Sequence, residues 1–249
     1  MGRFASTVAY YESARPPYGE AFFAEVARRL AFDGSQRLID VAAGPGILAI
    51  GFAPFVREAA GVDSEPAMVE AARAAAGRAC VTVKFVESRF EELPASLGEF
   101  DVVTIGRALH WLDPEPARKA FERVVAPRGL VLICNASSVD DGRNPWLTAF
   151  DAVRERWREE RPEHDHRTFF AGGRFKPRET IAVEATYATP IERFADRVLS
   201  MSTSSPERLG DEVPIMRTAM RDALAPFALN GTIEDVVEAR AAVFGNAAA

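Results

Sequence analysis

Up to Asn135 the chain alternates short apolar runs with stretches in which apolar residues recur every three or four positions. The runs are Leu38 to Val41, Ala59 to Val62, Val81 to Val86, Phe100 to Ile105 and Leu130 to Cys134. They are close to continuous instead of alternating, which marks strands covered on both faces of a parallel sheet. Helical stretches fall between them, around Ile47 to Arg57, Pro66 to Ala76 and Glu115 to Val125. Strand and helix in alternation predict a doubly wound α/β sheet with helices on both faces. Past Asn135 the pattern loosens. A polar turn, Asp140 to Pro145, leads into an amphipathic helix from Trp146 to about Glu160. Ile181 to Tyr187 reads as a strand, Ile191 to Met201 and Val213 to Phe227 as helices, and Thr232 to Phe244 as a last strand after the Asn230-Gly231 turn. The expectation is one domain over 1–249, with its core at about 36–135 and 180–249. Residues 1–35 would form an N-terminal cover and about 136–179 a variable, helical insertion.

Composition narrows the class. With 249 residues, 48% of them hydrophobic, the chain can bury a sizeable core. Its two cysteines, Cys80 and Cys134, are too few for a disulfide framework and read as small core hydrophobes in a reducing compartment, so a cytoplasmic location is expected. No apolar run reaches the length of a membrane span, and Met1 to Thr7 lacks the apolar region of a signal peptide. A formal charge of −6 disfavours a broad contact with nucleic-acid phosphates.

The stretch from Arg37 to Gly46 carries the first chemistry. An apolar run ends at Asp40 and breaks into the small-residue turn Val41-Ala42-Ala43-Gly44-Pro45-Gly46. Small residues let a ligand approach the backbone closely, and the helix that follows presents unpaired N–H groups. A dinucleotide-binding turn has the same needs, and so does a plain tight connection. A second run ends at Asp63, after which Ser64 reads as a helix cap and Pro66 as a first-turn residue. A carboxylate about 20 residues past a glycine loop is where a ribose diol is held.

Together these stretches resemble the class I S-adenosylmethionine-dependent methyltransferases, in particular the type 11 small-molecule enzymes related to trans-aconitate methyltransferase. Asp40, Ala42, Gly44 and Gly46 stand as the first motif, with Ala42 in place of the first glycine, and Gly61 to Arg73 as the second. The resemblance implies a seven-stranded Rossmann-like sheet, S-adenosyl-L-methionine as cofactor and S-adenosyl-L-homocysteine as product. It also implies methyl transfer to oxygen, nitrogen or carbon of a small-molecule acceptor, by in-line displacement in a water-excluded pocket. It places Asp63, Ser64 and Met68 on the cofactor. The loop Phe85 to Pro94 would cover the adenine, with Arg89 where the family often has an aspartate; Phe90 either covers the ring or packs in the core. Phe100 to Leu112 resembles the fourth motif, which sets Gly106 and Arg107 beside the methionine moiety and Trp111 beside the acceptor. His110 would act there as a general base or orient the acceptor. In the N-terminal string Tyr10 to Tyr18, Tyr11 and Tyr18 would close the pocket and Arg15 would pair with the methionine carboxylate. The insertion offers Trp146, Phe150, Trp157, Phe169 and Phe170 as an apolar acceptor pocket, with core packing the competing use.

Two weaker groupings point elsewhere. His164-Asp165-His166 has no distant third ligand in sight and reads as a solvated loop, so no metal is expected. Arg154, Arg156, Arg158 and Arg161, interleaved with Glu155, Glu159 and Glu160, read as a solvated helix face. A nicotinamide-dependent oxidoreductase would need a fuller Gly-x-Gly-x-x-Gly turn, and three positions after Gly46 stands Ala49. A binding protein that keeps the cofactor pocket without the chemistry is the other alternative.

Overall fold

Seven strands form one mixed sheet in the computed structural model, which describes residues 10, 11, 14–158, 166–201 and 203–246. They are β1 (Arg37–Val41), β2 (Glu58–Asp63), β3 (Lys84–Glu87), β4 (Phe100–Gly106), β5 (Val125–Ser138), β6 (Phe175–Pro190) and β7 (Thr232–Asn246). Their order is β3-β2-β1-β4-β5-β7-β6. The pairs β3–β2, β2–β1, β1–β4 and β4–β5 are parallel, in registers that set Val41 beside both Val62 and Ile105, and Ile105 beside Ile133. Strand order reverses between β1 and β4. In such sheets the crevice that receives ligands opens there, past the carboxyl ends of the strands.

By their contacts the residues divide into two compact units. The larger comprises Tyr18–Asn135, Pro162–Val183 and Ala239–Ala249 and holds the sheet from β1 to β4 with most of β5. Its helices are α1 (Glu20–Arg29), α2 (Ile47–Phe52), α3 (Pro66–Arg78) and α4 (Pro114–Val124). Proline opens both α3 and α4, where its missing N–H is no loss, and Asp113 caps α4 by accepting the Glu115 N–H at 3.3 Å. One apolar cluster joins Ile39, Val41, Val62, Val103 and Ile105 of the sheet to Ala117, Ala120 and Phe121 of α4. Another joins Ala43, Ala49, Val69, Ala72 and Ala76 to Phe85.

The smaller unit comprises Met1–Pro17, Ala136–Arg161 and Glu184–Glu238 and holds α5 (Leu147–Glu155), α6 (Ile191–Leu199) and α7 (Val213–Leu224). Its core gathers Trp146, Phe150, Phe194, Val198, Leu199, Met216, Met220 and Leu224. Inside it Arg197 is 6% and Asp235 1% exposed, 2.7 Å apart. Arg197 also donates from Nε to the Ala14 carbonyl at 3.2 Å and from Nη1 to Ser138 Oγ at 3.1 Å, and its guanidinium lies 4.8 Å from the centre of the Phe194 ring.

The strands extend beyond their apolar runs where one face is solvated. Exposed and half-buried residues alternate along β6 from Ala182 to Pro190, and polar Lys176 to Thr180 hid its start. One expectation is corrected: Cys134 is buried, but Cys80 is exposed, in a turn with left-handed φ of 53° just past α3.

The buried pair generates a stability prediction. Asp235→Ala removes the carboxylate that meets the buried Arg197 charge and should destabilise the protein by about 3–5 kcal/mol in chemical denaturation. Arg143→Ala breaks the exposed pairs with Asp141 and Glu184 and should leave the unfolding midpoint nearly unchanged. The reverse ranking would contradict this account of the core.

Candidate active site

Asp40, at the end of β1, holds the following loop from beneath. It is 2% exposed, accepts the Thr104 hydroxyl at 2.7 Å and also accepts the backbone N–H of Ala49 in the first turn of α2. The residue at the start of that helix is Gly46, which has no side chain with which to cap it, so the buried carboxylate takes that part. Burial raises the Asp40 carboxyl to about 7 against the pull of these two donors, and the neighbouring Asp63 charge adds to the rise.

Left-handed residues alternate through the loop: Ala42 at φ 50°, Gly44 at 52° and Gly46 at 83°. The two glycines have different tasks. A Cβ on Gly46 would stand 2.6 Å from Phe85 Cζ and 3.1 Å from Ala72 Cβ, so its bareness admits the Phe85 ring. The same ring covers Gly61, where a Cβ would meet it at 2.7 Å. A Cβ on Gly44 would meet nothing nearer than Met68 Sδ at 4.0 Å, so space lies open over the backbone there. Asp63 borders it: Oδ2 accepts the Gly44 N–H at 2.7 Å and Oδ1 the Glu65 N–H at 2.9 Å. Burial raises the Asp63 pKa while the N–H groups of Glu65, Gly44 and Ser64 hold it down. Each oxygen keeps a further lone pair for a hydroxyl donor. The expected Ser64 cap is corrected: Ser64 is exposed, Glu65 is the residue before α3, and neither caps with its side chain.

At the end of β4, a Cβ on Gly106 would stand 2.8 Å from Leu48 Cδ1 and 2.9 Å from the Tyr18 hydroxyl. Tyr18 is 5% exposed and packs on Phe22 and Phe23. Arg107 follows at φ 57°, its guanidinium 5.0 Å from the centre of the Tyr18 ring. His110 and Trp111 share a short 3₁₀ turn, rings 4.9 Å apart; the imidazole is exposed and the indole half-buried.

Arg89 is exposed beside Glu91 and Glu92, and the Phe90 ring is buried 4.7 Å from Phe121, taking the core alternative. Phe169 and Phe170 are buried against Phe121, and Phe170 also against Phe175 and Phe244. In the smaller unit Trp146 and Phe150 are buried with Phe194, while Trp157 donates to Glu212 at 2.7 Å. Arg15 there lies over the Tyr11 ring and donates to the Ser200 carbonyl at 3.1 Å. His164 and Asp165 lie outside the described residues, and of His166 only the backbone is described. Among the described residues no group of three or more His, Cys, Asp or Glu could hold a metal ion, and no helix is long and apolar enough to cross a membrane. Sequence reasoning missed Phe85. Its signal was Gly61, an isolated glycine in an apolar strand and the register partner of Phe85, which marks close approach by something bulky.

Strand order 3-2-1-4-5-7-6, with a glycine loop after β1 and an acid ending β2, defines a Rossmann-like methyltransferase fold. Residues 39–133 match the methyltransferase domain family. Over that stretch the chain is similar to methyltransferase domains. It is 34% identical over 108 residues to the uncharacterized methyltransferase YcgJ of Bacillus subtilis, a match covering 43% of each chain. The chain spans about half the length of the curated relatives it matches. Among solved structures it resembles a putative type II methyltransferase from Anaeromyxobacter dehalogenans, with TM-score 0.63, 20% identity and coverage of 93% of this chain and 97% of that one. It also resembles a methyltransferase from Geobacter sulfurreducens solved with S-adenosyl-L-homocysteine, with TM-score 0.57, 13% identity and coverage of 98% and 97%. At these identities the structural likenesses speak for the fold.

Asp40 makes the site's stability depend on pH. An unfolded aspartate titrates near 4, so between about pH 4 and 7 the folded chain holds a proton that the unfolded chain has released. The stability this contributes is complete below pH about 4 and is lost as the pH rises through about 7, about 4 kcal/mol in all. The difference in unfolding free energy between wild type and Asp40→Asn should therefore fall across that window. A difference that is flat, or that rises with pH, would contradict the burial of Asp40.

Proposed function

We propose that the protein transfers the methyl group of S-adenosylmethionine to an oxygen, nitrogen or carbon atom of a small-molecule acceptor. The observation that carries this reading is the open space over Gly44 beside the Asp63 carboxylate, within the matched domain. The neighbouring glycines are filled by a ring; this one is not. The residues fit the cofactor: Asp63 takes the ribose hydroxyls, the Gly44 backbone and Met68 border the nucleoside, and Gly106 keeps the end of β4 free of a side chain. The likeness to a fold solved with S-adenosyl-L-homocysteine supports the same reading. A net charge of −6 favours a small-molecule acceptor over nucleic acid.

When bound, the cofactor supplies a methyl group on a sulfonium, open to in-line displacement. The protein's own part is to orient and to exclude water. The loop from Ala42 to Gly46 fixes where a ligand lies relative to the end of β4, and fixed placement supplies much of the rate enhancement in such a reaction. His110, exposed on the turn beyond β4, takes the acceptor's proton or orients its nucleophilic atom.

Calorimetric titration tests the cofactor site. Asp63→Ala should weaken S-adenosylhomocysteine binding by about 2–4 kcal/mol, and Gly44→Val should abolish it while the fold persists. Unchanged affinity in both folded variants would remove the site from this loop. Once an acceptor is identified, turnover tests His110. His110→Ala should lower kcat by roughly 10²-fold or more if the imidazole takes the proton, and by much less if it only orients, with cofactor affinity unchanged in either case. Full activity in this variant would dismiss His110 from the reaction.

A further inference from the structure

Asp40 and Asp63 stand at the carboxyl ends of neighbouring parallel strands, and Gly61, the register partner of Asp40, lies two positions before Asp63. Both carboxylates hold the glycine loop and the helix after it, Asp40 through the Ala49 N–H and Asp63 through the Gly44 N–H at 2.7 Å. All of their donors are neutral. Asp40 accepts the Thr104 hydroxyl and the Ala49 N–H, Asp63 the N–H groups of Gly44, Ser64 and Glu65, and among the described residues neither meets a cationic side chain. Two acids so placed gain from a nearby positive charge, which none of the adjoining side chains supplies.

The groups around Asp40 make it the one that responds to such a charge. Thr104, on β4, donates its hydroxyl and does not titrate. The loop from Val41 to Gly46 and helix α2 bring no titratable side chain. Cys134, on β5, stays a neutral thiol, held up by burial and by the Asp40 charge against the pull of Arg107. Asp63, on β2, is half-buried and held ionised by three N–H groups, whereas Asp40 is 2% exposed with two donors. With its carboxyl raised to about 7, Asp40 is the acid whose charge changes near neutral pH.

On the reading proposed above, on which this inference rests, the ligand at the loop carries a sulfonium before transfer and a neutral thioether after it. The S–CH3 bond breaks with its electron pair left on sulfur, and the acceptor's nucleophilic atom forms the new bond and gives up its proton. A positive charge therefore leaves the site at each turnover, while the ligand's shape changes by one methyl group.

We propose that Asp40 distinguishes cofactor from product by charge: it stands ionised while the sulfonium is bound and takes a proton from solvent once the thioether has replaced it. Thr104 is the positioning residue that sets how readily this happens, because its hydroxyl donates to the ionised form. The direction follows from linkage. A cation favours the ionised acid, so binding the cofactor releases a proton, and cofactor affinity rises with pH until Asp40 is ionised in the free protein as well, at about 7. The product, without a sulfonium, lacks this gain.

Wild type, Asp40→Asn, Thr104→Val and Thr104→Ser are titrated calorimetrically with S-adenosylmethionine and with S-adenosylhomocysteine from about pH 5.5 to about pH 8, in buffers of different ionisation enthalpy so that released protons are counted. In wild type the ratio of the two affinities, cofactor over product, should rise about tenfold across this range, and the cofactor should release more protons than the product at about pH 6.5. In Asp40→Asn the ratio should be flat. In Thr104→Val, which removes the donor, the rise should move to higher pH, and in Thr104→Ser, which keeps it, the rise should stay where wild type has it. A merely structural role of Thr104 would not separate these two variants in that way. A flat ratio in wild type that binds both ligands, a ratio that rises equally in Asp40→Asn, or a Thr104→Val rise at the wild-type pH would each overturn the proposal. If Asp40→Asn fails to fold, the two Thr104 variants decide alone. Wild type that binds neither ligand would overturn the cofactor reading and this inference with it.

Discussion

The loop after β1 stands where it does because of one buried carboxylate. Asp40 reaches Thr104 on β4 and the first turn of α2 at once, so strand, loop and helix are fixed to one another by a group that is 2% exposed. Burying a carboxylate is expensive, and two donors do not cancel the expense, as the raised pKa records. The expense is met because the alternatives are worse. Gly46, at the helix start, has no side chain to satisfy the first turn, and any side chain there would collide with Phe85. The acid on the preceding strand therefore does what a capping residue ordinarily does, and in doing so it ties the loop to the strand that ends in Gly106.

Phe85 determines which glycines are available to a ligand. Its ring lies over Gly46 and Gly61, so these two are glycines for the sake of the protein's own packing. Gly44, in the same loop, has open space in front of it. The motif is thus one glycine that faces outward, held in shape by another that faces an aromatic side chain. Asp63 joins the two arrangements, since the carboxylate that ends β2 also accepts the N–H of the outward-facing glycine.

Much of this was legible in the sequence because buried parallel strands read as unbroken apolar runs, and β1, β2 and β4 fall where those runs are. The edge strand was less legible: β6 is solvated along one face, so its polar first half resembled a loop. Individual side chains were harder still. Phe90, Phe169, Phe170, Trp146 and Phe150 were visible as aromatic mass, and aromatic mass suits a pocket wall and a core equally; the structure gives all five to cores. The Arg197–Asp235 pair lies 38 positions apart in sequence and carries no periodic signal. What Gly44 and Asp63 do was readable because a glycine turn and a strand-ending acid at that spacing have few other uses.

The most direct measurement of the central claim is amide hydrogen exchange of the whole chain, with and without S-adenosylhomocysteine, and in parallel with NAD. The account predicts slowed exchange on adding S-adenosylhomocysteine in the loop from Ala42 to Gly46, at the start of α3 after Asp63, and past Gly106, with no change on adding NAD. Protection confined to other segments, or protection of this loop by NAD and not by S-adenosylhomocysteine, would contradict it.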